Sequence, residues 1–536
     1  MKKFSLSLSR LKVLSALASV AFIFSACSSD EESAGANISP KDAVVNYASN
    51  GNASMIMSMR LGDLIDKSGL MKDLLPAEMK MVADGYLSQF LDSEENGLDL
   101  DETSFVLTDL TGLPSAPAMV GVVVAVSDAG TFASFVEGQT RMQPEEGEGF
   151  KFISLGGSGV IAGNSGFAAF FSGADFTGGK ASGSLEKIMK SLSEKGKGDT
   201  KAISKFAEKK ADFGFFMDFE NYMEVIPKDE PGTAIMNSEF YKTMMKDAYM
   251  SGFVNFEAGK IVAEYDMAGN KKLMDLMTKA YNNGNADYAN YLGGENLIGF
   301  VTANMNVDAL LDSYEEMGFF DIPEVAKVLD AVKMATGLSV RDIANKFSGE
   351  FSLSFVGINV SGEDEAAEPE NEYSGYYEAR KNTEPVFTMA IGIRDSLFGK
   401  IFDTIPALVK KANYYAMSKG GLCLKNGVLF VSSDMMLLED FALDGRLSTY
   451  TKNNAQKAIG SNPVYGYFSF DALTMVMAEI NPEVALAVSQ LDYAEMTATK
   501  NAQFKAVLYF KDKKTNALKS LGKLIMDAAN KSGMMF

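Results

Sequence analysis

The chain has 536 residues, 47% of them hydrophobic, and its 70 acidic against 50 basic residues give a formal net charge of -20. This length predicts more than one domain, each with enough apolar residues for a core. The charge excludes nucleic acid as a natural partner, because phosphate binding depends on Lys and Arg clusters that acids do not dilute. The chain has no histidine, which excludes Ser-His-Asp and Cys-His catalysis and His-ligated metals.

Residues 1–26 have the pattern of a signal peptide. A basic leader precedes an apolar run, Val13 to Phe24, which is shorter than the ~20 residues needed to span a bilayer. Small residues directly before Cys27 indicate lipoprotein processing, although Phe24 stands where the strict pattern has Leu. We expect cleavage before Cys27 and a lipid on that cysteine; ordinary secretory cleavage near Ala26 is the alternative. Removing the four leader charges from -20 leaves -24, so membrane contact should come from the lipid alone.

Residues 27–40 are predicted to be a lipidated, flexible tether, because Ser, Gly, Asn and Glu bury little apolar surface. Directly after Cys27 come five residues that resemble the acidic export tag of Bacteroidota lipoproteins: Ser28, Ser29, Asp30, Glu31 and Glu32. The resemblance implies an outer-membrane protein exposed on the cell surface. A periplasm-facing protein with a plain acidic tether is the alternative.

The mature chain predicts an α+β fold with mainly antiparallel sheets and helices packed on one face. Strands follow one another through turns, as in Phe150–Leu155 and Gly159–Ala162, and this is typical of hairpins. Two sets of residues are expected to line the covered face of a sheet: Phe351, Leu353 and Phe355, and Val464, Tyr465, Tyr467 and Phe468.

Four segments recur in the same order, at an offset of roughly 250 positions, which predicts two related lobes, 41–290 and 291–536. The matched pairs are Met57–Asp66 with Ala303–Asp312, Val122–Phe132 with Met389–Phe398, Phe213–Phe216 with Tyr465–Phe468, and Ile261–Asp266 with Val507–Asp512. An acidic segment without apolar periodicity, 361–384, is predicted to be an exposed, mobile insertion in the second lobe only.

A strand, an acidic turn and a helix over Ser54–Lys67, followed by Gly69-Leu70, stand near the start of this duplicated chain. Together with the processing site at Cys27, this pattern resembles a domain-of-unknown-function family of Bacteroidota outer-membrane lipoproteins. The resemblance covers most of the mature chain. It implies a location in the outer membrane and a fold class, and it implies no catalytic residues.

Two segments resemble ligand-binding motifs, but both depart from the required pattern. The loop Asp92–Thr103 begins like a calcium-binding loop, but Asp99 and Thr103 break the pattern, so a solvated acidic loop is expected. The segment Gly173–Lys180 fails as a phosphate loop, because its lysine is displaced and Ala181 follows it. We therefore predict no cofactor and no metal.

Four recurrent aspartates and Cys423 are predicted to have structural rather than catalytic roles. Four aspartates at turns are expected to cap helices rather than catalyse: Asp128, Asp266, Asp395 and Asp512. Cys423 is expected to be a buried, inert thiol, since with Cys27 lipidated it has no disulfide partner.

Three classes of function remain. The favoured one is a non-catalytic, lipid-anchored envelope protein that binds or scaffolds an unknown ligand or partner. The second is a glycan- or peptide-binding lipoprotein of an uptake system, using Tyr373, Tyr376 and Tyr377 of the insertion as an aromatic platform. The third is a hydrolase that uses only a pair of carboxylates.

Overall fold

The computed structural model describes residues 38–51, 54–69, 91–109, 119–155, 159–173, 181–198, 200–225, 236, 238–294, 297–363, 381–395, 398, 402–403 and 405–531. The chain divides into two compact units. Unit 1 holds the described residues up to Glu257, with Tyr265–Asn270 and Asn516–Met526. Unit 2 holds Ala258–Glu264, Lys271–Thr515 and the residues from Asp527 onward.

The strands, in chain order, have the following bounds: β1 Met55–Met59, β2 Leu98–Asp99, β3 Ser104–Asp109, β4 Met119–Val126, β5 Glu145–Gly147, β6 Phe150–Ser154, β7 Val160–Gly163, β8 Phe167–Gly173, β9 Phe213–Asp218, β10 Tyr249–Glu257, β11 Lys260–Ala268, β12 Gly299–Asn304, β13 Phe347–Glu363, β14 Lys381–Ile393, β15 Val409–Lys410, β16 Tyr415–Ala416, β17 Gly421–Lys425, β18 Val428–Ser432, β19 Val464–Ser469, β20 Leu491–Ala498 and β21 Gln503–Phe510.

The helices have these bounds: α1 Pro40–Ser49, α2 Leu61–Ser68, α3 Ser93–Asn96, α4 Ala129–Thr140, α5 Ala181–Ser193, α6 Lys201–Glu208, α7 Phe219–Val225, α8 Glu239–Met245, α9 Lys271–Lys279, α10 Val307–Glu316, α11 Pro323–Thr336, α12 Val340–Ala344, α13 Met435–Asp444, α14 Ala455–Ser461, α15 Phe470–Ile480, α16 Pro482–Val488 and α17 Ala517–Lys531. Short 3₁₀ helices occupy Ala286–Tyr291, Phe319–Asp321 and Lys452–Asn454. Among the described residues, none of these helices is long and apolar enough to span a bilayer.

Each unit is built on an antiparallel sheet. In unit 1 the strands pair in the order β10-β9-β1-β3-β4-β8-β7-β6-β5. In unit 2 they pair in the order β21-β20-β19-β12-β13-β14-β18-β17-β16-β15. The predicted α+β class with antiparallel strands is confirmed. The common origin of the two units stays a prediction.

In unit 1 the core lies between the sheet and helices α1, α5 and α6. Val44 of α1, Met189 of α5 and Phe206 of α6 pack against the buried sheet residues Phe105 and Phe171. The first helix begins where the sequence dictates, because the Ser39 side chain accepts the Asp42 N–H at 3.2 Å and Pro40 fits the first turn.

In unit 2 the core lies between the sheet, the first 3₁₀ helix, α13 and α14. Phe430 of β18 stacks on Phe441 of α13 with ring centroids 4.5 Å apart, and Phe300 of β12 contacts the ring of Tyr465. Each such fully buried aromatic contributes roughly 1.5–3 kcal/mol. Residues Lys271–Asn290, which the sequence analysis assigns to the first lobe, belong to unit 2.

The structure corrects the predicted covered face of β13. Ser352 and Ser354 point into the core and are 1% exposed, whereas Leu353 is 40% exposed on the opposite side of the sheet. Phe351 and Phe355 lie on the same side as Leu353, because side chains alternate along a strand. The predicted alternation is present, but Phe351, Leu353 and Phe355 lie on the face opposite the predicted one.

The predicted insertion 361–384 is shorter than expected. Ser361 pairs with Asn382 and Glu363 with Lys381, so its two ends belong to β13 and β14. The rest of the segment, including Tyr373, Tyr376 and Tyr377, lies outside the described residues. Its exposure and mobility therefore stay predictions.

The four turn aspartates do not share one role. Asp128 caps α4 by accepting the Thr131 N–H at 2.6 Å, which lowers the pKa of this carboxyl. Asp266 lies inside β11, so the prediction that it caps a helix is wrong. Asp512 accepts the N–H groups of Lys514 and Thr515 in a turn before α17, and Asp395 accepts the Lys346 ammonium at 2.6 Å.

A buried ion pair in unit 1 allows a test of stability. The Asp212 side chain is 2% exposed; it accepts the Lys67 ammonium at 2.5 Å and the Phe256 N–H at 2.7 Å. Lys67→Met leaves this carboxylate without its cation. We expect the free energy of unfolding in urea to fall by about 2 kcal/mol, below the usual cost of breaking a buried pair because Lys67 is partly hydrated.

The matched control is Lys41→Met, which breaks the exposed Lys41–Glu208 pair at 3.8 Å in the same unit. We expect a change within about 0.5 kcal/mol. Equal losses in the two variants would contradict the role assigned to Asp212.

Candidate functional site

The sheet of unit 2 carries an apolar row on the side opposite its core. The register joins residues at the same level on neighbouring strands. The row runs Leu422, Val431, Met389, Leu353, Val301, Gly466, Met496 and Ala506. We call this side of the sheet, from β17 to β21, the outer face.

The adjacent row, on the core side, is more polar. It contains Ser352, Thr302 and Thr497 among aromatic and aliphatic residues. The buried hydroxyls of Ser352 and Ser354 have no hydrogen-bond partner in the described part of the chain, and a buried hydroxyl without a partner costs about 1–3 kcal/mol. Strand β13 thus buries hydroxyls and presents hydrophobic side chains outward.

The outer face holds a concavity of about 520 Å³ over β12, β19, β20 and β21. Val301, Leu353, Phe468, Met496 and Leu508 are among its lining residues. Leu353 and Met496 are 40% and 45% exposed, so the apolar surface is open. This volume is within the range of small-molecule sites, roughly 300–1,000 Å³.

Glycine forms part of the floor of this concavity. A Cβ at Gly466 would lie 2.7 Å from Cγ of Met496 on the neighbouring strand. The absence of a side chain at Gly466 therefore lets Met496 lie across the floor. A second glycine, Gly299, contributes to the same lining.

A second concavity, of about 420 Å³, continues along β13 towards its start. Phe347 and Phe351 line it from the sheet, and Val332, Val340 and Ile343 line it from helices α11 and α12. Phe351 is two residues from Leu353 on the same side of β13. The two concavities therefore both reach β13, the larger one at Leu353 and Phe355 and the smaller one from Phe347 to Phe351.

One carboxylate-bearing residue borders each concavity. Glu495 turns to the core side, where it accepts the Tyr509 hydroxyl at 2.9 Å; burial, and then this hydrogen bond, raise the pKa of Tyr509. Glu350 accepts the Asn285 amide at 3.4 Å. In these two concavities the described lining residues do not supply the paired carboxylates that a glycosidase needs.

Asp218 in unit 1 is an acid whose pKa burial raises. Its Oδ1 accepts the N–H groups of Glu220 and Asn221 at 2.9 and 3.2 Å, where α7 begins. Capping a helix start accounts for the position of this carboxylate.

The oxygens of the calcium-like loop bind backbone N–H groups of the loop itself. Asp92 accepts the Glu94 N–H at 2.9 Å, and the buried Asn96 accepts the Leu98 N–H at 2.7 Å. Asp99 accepts the Asp101 N–H at 3.1 Å. The described residues contain no group of three or more acidic or thiol side chains placed to hold a metal ion.

Several residues singled out in the sequence lie outside the described part of the chain. They include the lipidation site Cys27, the tag residues Ser28, Ser29, Asp30, Glu31 and Glu32, and residues 174–180 of the phosphate-loop-like segment. The outer face was missed because its hydrophobic alternation was taken for a core pattern. The alternation of Ser352 and Ser354 with Phe351, Leu353 and Phe355 shows that the two faces of β13 differ, but not which of them is covered.

No family model and no curated protein matches the chain. Among solved structures, crystal form I of TP0453 is similar at 8% identity, with a TM-score of 0.25 over 44% of this chain and 81% of that one. Crystal form III of TP0453 gives 10% identity and a TM-score of 0.25 over 46% and 88% of the two chains. Scores this low support no inference about fold or function.

Cys423 is buried in β17, as the sequence predicts, and its thiol donates to the Asn413 carbonyl at 3.2 Å. Burial raises its pKa, and the thiolate is the reactive form. In a Cys27→Ser chain, which retains this single thiol, we expect alkylation by iodoacetamide at pH 8 to be at least tenfold slower in native buffer than in urea. Mass spectrometry measures the labelled fraction. Equal rates would show that the thiol is accessible and reactive.

Proposed function

We propose that this chain is a non-catalytic, lipid-anchored protein of the cell envelope that binds an apolar ligand or partner on the outer face of unit 2. The observation that carries the proposal is the inverted polarity of β13, with Ser352 and Ser354 buried and Leu353 exposed. A sheet that served only to build a core would gain by the opposite arrangement. Exposed contiguous apolar surface marks interaction sites in proteins.

Large apolar side chains on the outer face are left partly in contact with water. Leu353 and Phe387 are each 40% exposed, and Met496 is 45% exposed. Covering such side chains recovers about 25 cal/mol for each Å² of apolar area. An apolar ligand would recover this free energy, and no cofactor is needed for it.

The lipid anchor and the location at the cell surface are part of the same proposal. The segment before Cys27 supports a lipid on that cysteine, and Ser28–Glu32 supports export to the cell surface as a member of the resembled family of outer-membrane lipoproteins. The glycan alternative depends on Tyr373, Tyr376 and Tyr377, and no described contact favours it.

We further propose that the two units arose by duplication of one lobe. Ile56 pairs with Phe216 in unit 1, and Phe300 pairs with Tyr467 in unit 2, at corresponding positions of the same strand order. This register shifts two sequence matches, because Met57 then corresponds to Val301 and not to Ala303. Gly214 corresponds to Tyr465 and not to Gly466, and a one-residue shift exchanges the two faces of a strand.

The binding proposal is tested with an uncharged dye such as Nile red and the mature chain carrying Cys27→Ser. Leu353→Asp places a charge on the outer face, so we expect dye affinity to fall at least tenfold, a loss of about 1.4 kcal/mol. Fluorescence titration measures the affinity. Met334→Asp is the control, because Met334 is 82% exposed on α11. Equal affinity of the two variants would contradict the proposal.

The anchor proposal is tested by fractionating cells that express the full chain. Cys27→Ser should move the protein from the membrane fraction to the supernatant, because nothing else proposed here holds it to the bilayer. Ser28→Ala is the control and should stay with the membranes. A Cys27→Ser protein that still sediments with membranes would show that lipidation is not the anchor.

A further inference from the structure

We infer that the outer face of unit 2 holds one acyl chain of a lipid whose head group carries no net negative charge. This inference rests on the proposed binding function and names the class of its ligand. It draws on the length of the trough that the open concavity forms across the strands, on the chemistry of its lining and on the pairing of the charges around it.

The trough has the length of a single hydrocarbon chain. The open concavity crosses the sheet from β13 through β12, β19 and β20 to β21, which at about 4.8 Å between neighbouring strands is roughly 19 Å. A bilayer core is about 30 Å thick, so each leaflet contributes chains of about 15 Å. One extended acyl chain fits across these strands.

The lining matches hydrocarbon and offers nothing to an anionic group. Among the described lining residues there is no Lys or Arg, and the Glu495 carboxylate turns to the core side. A fatty-acid carboxylate would therefore gain no cation in the trough. The chain as a whole, at -20, would also repel it.

Two basic residues close in sequence to the lining pair with acids. Lys505, whose neighbour Ala506 lines the open concavity, contacts Glu264 at 2.9 Å. Arg394 contacts Asp308 at 3.0 Å near the covered concavity. These cations are neutralised locally, so a neutral or zwitterionic head group suits the surroundings best.

Helices α10 to α12, Val307–Ala344, form a flap over the covered end of the trough. The outward side of α11 is well exposed, with Met334 at 82%. On its inner side Val332 faces the concavity that Phe347 and Phe351 line from the sheet. The flap closes one end of the trough, and the head group would leave at the open end near Met496.

The experiment is a calorimetric titration of the mature chain carrying Cys27→Ser. The probe is lysophosphatidylcholine with a 14-carbon chain, kept below its micelle concentration. We expect a one-to-one complex, and about fourfold weaker binding for each methylene removed from the chain. Myristate should bind at least tenfold more weakly, and glycerophosphocholine, which has no chain, should show no binding heat.

Two variants locate the site. Leu353→Asp should weaken lysophosphatidylcholine binding at least tenfold, whereas Met334→Asp, on the outward side of the flap, should leave it unchanged. Circular dichroism of both variants checks that the fold is retained. Met496→Asp gives a second outer-face variant if Leu353→Asp is not folded.

The outcomes separate this inference from the proposed function. Binding of Nile red without lysophosphatidylcholine binding would overturn the acyl-chain inference and leave the apolar site standing. Loss of both would overturn the two together. Myristate binding as tight as that of the lysolipid would contradict the charge argument. Flotation of the Cys27→Ser chain with phosphatidylcholine vesicles, lost in Leu353→Asp and without a lysolipid complex, would make the face a membrane contact instead.

Discussion

The alternation of side chains between the two faces of a strand is the constraint on which the unit 2 site depends. Helices and a 3₁₀ helix cover one face of the sheet, and Phe300, Phe430 and Tyr465 provide its aromatic core. At the centre of that face β13 supplies Ser352 and Ser354. The hydrophobic residues of β13 therefore lie on the other side of the sheet.

Burial of small hydroxyl residues has a cost and a structural use. Ser352 and Ser354 leave room for the rings that pack over the sheet, at the expense of hydroxyls without partners. The same strand begins with a close approach, because a Cβ at Gly349 would lie 1.8 Å from the Met305 carbonyl oxygen and its φ is +102°. Only glycine meets both conditions, and the pairing of β13 with β14 shifts register between Phe347 and Phe351, on either side of Gly349.

Much of the fold could be predicted from the sequence, because hairpins and helix starts are encoded locally. The hairpin over Phe150–Ala162 and the cap at Asp128 follow from turn residues and from a carboxylate before a helix. The face of β13 could not be predicted, since period-two alternation shows that the faces differ and not which one is covered. Asp266 failed as a cap for a related reason, because its strand continues beyond it.

The candidate site was less predictable than the fold. It has no catalytic motif and is recognised only when rows from separate strands are brought into register, such as Val301, Leu353, Gly466 and Met496. These residues are far apart in sequence and individually ordinary. The processing signal before Cys27 differs from this site. Processing acts on a contiguous segment, which can be recognised in the sequence without a fold.

The most direct measurement is photocrosslinking of the mature chain with a 14-carbon lysophosphatidylcholine that carries a diazirine near the end of its chain, followed by peptide mapping. The account predicts label on peptides of β13 and on those that contain Met496 or Leu508, with competition by unlabelled lysolipid. Label confined to unit 1, or spread over exposed helices such as α11 without competition, would contradict the claim that the outer face of unit 2 is the binding surface.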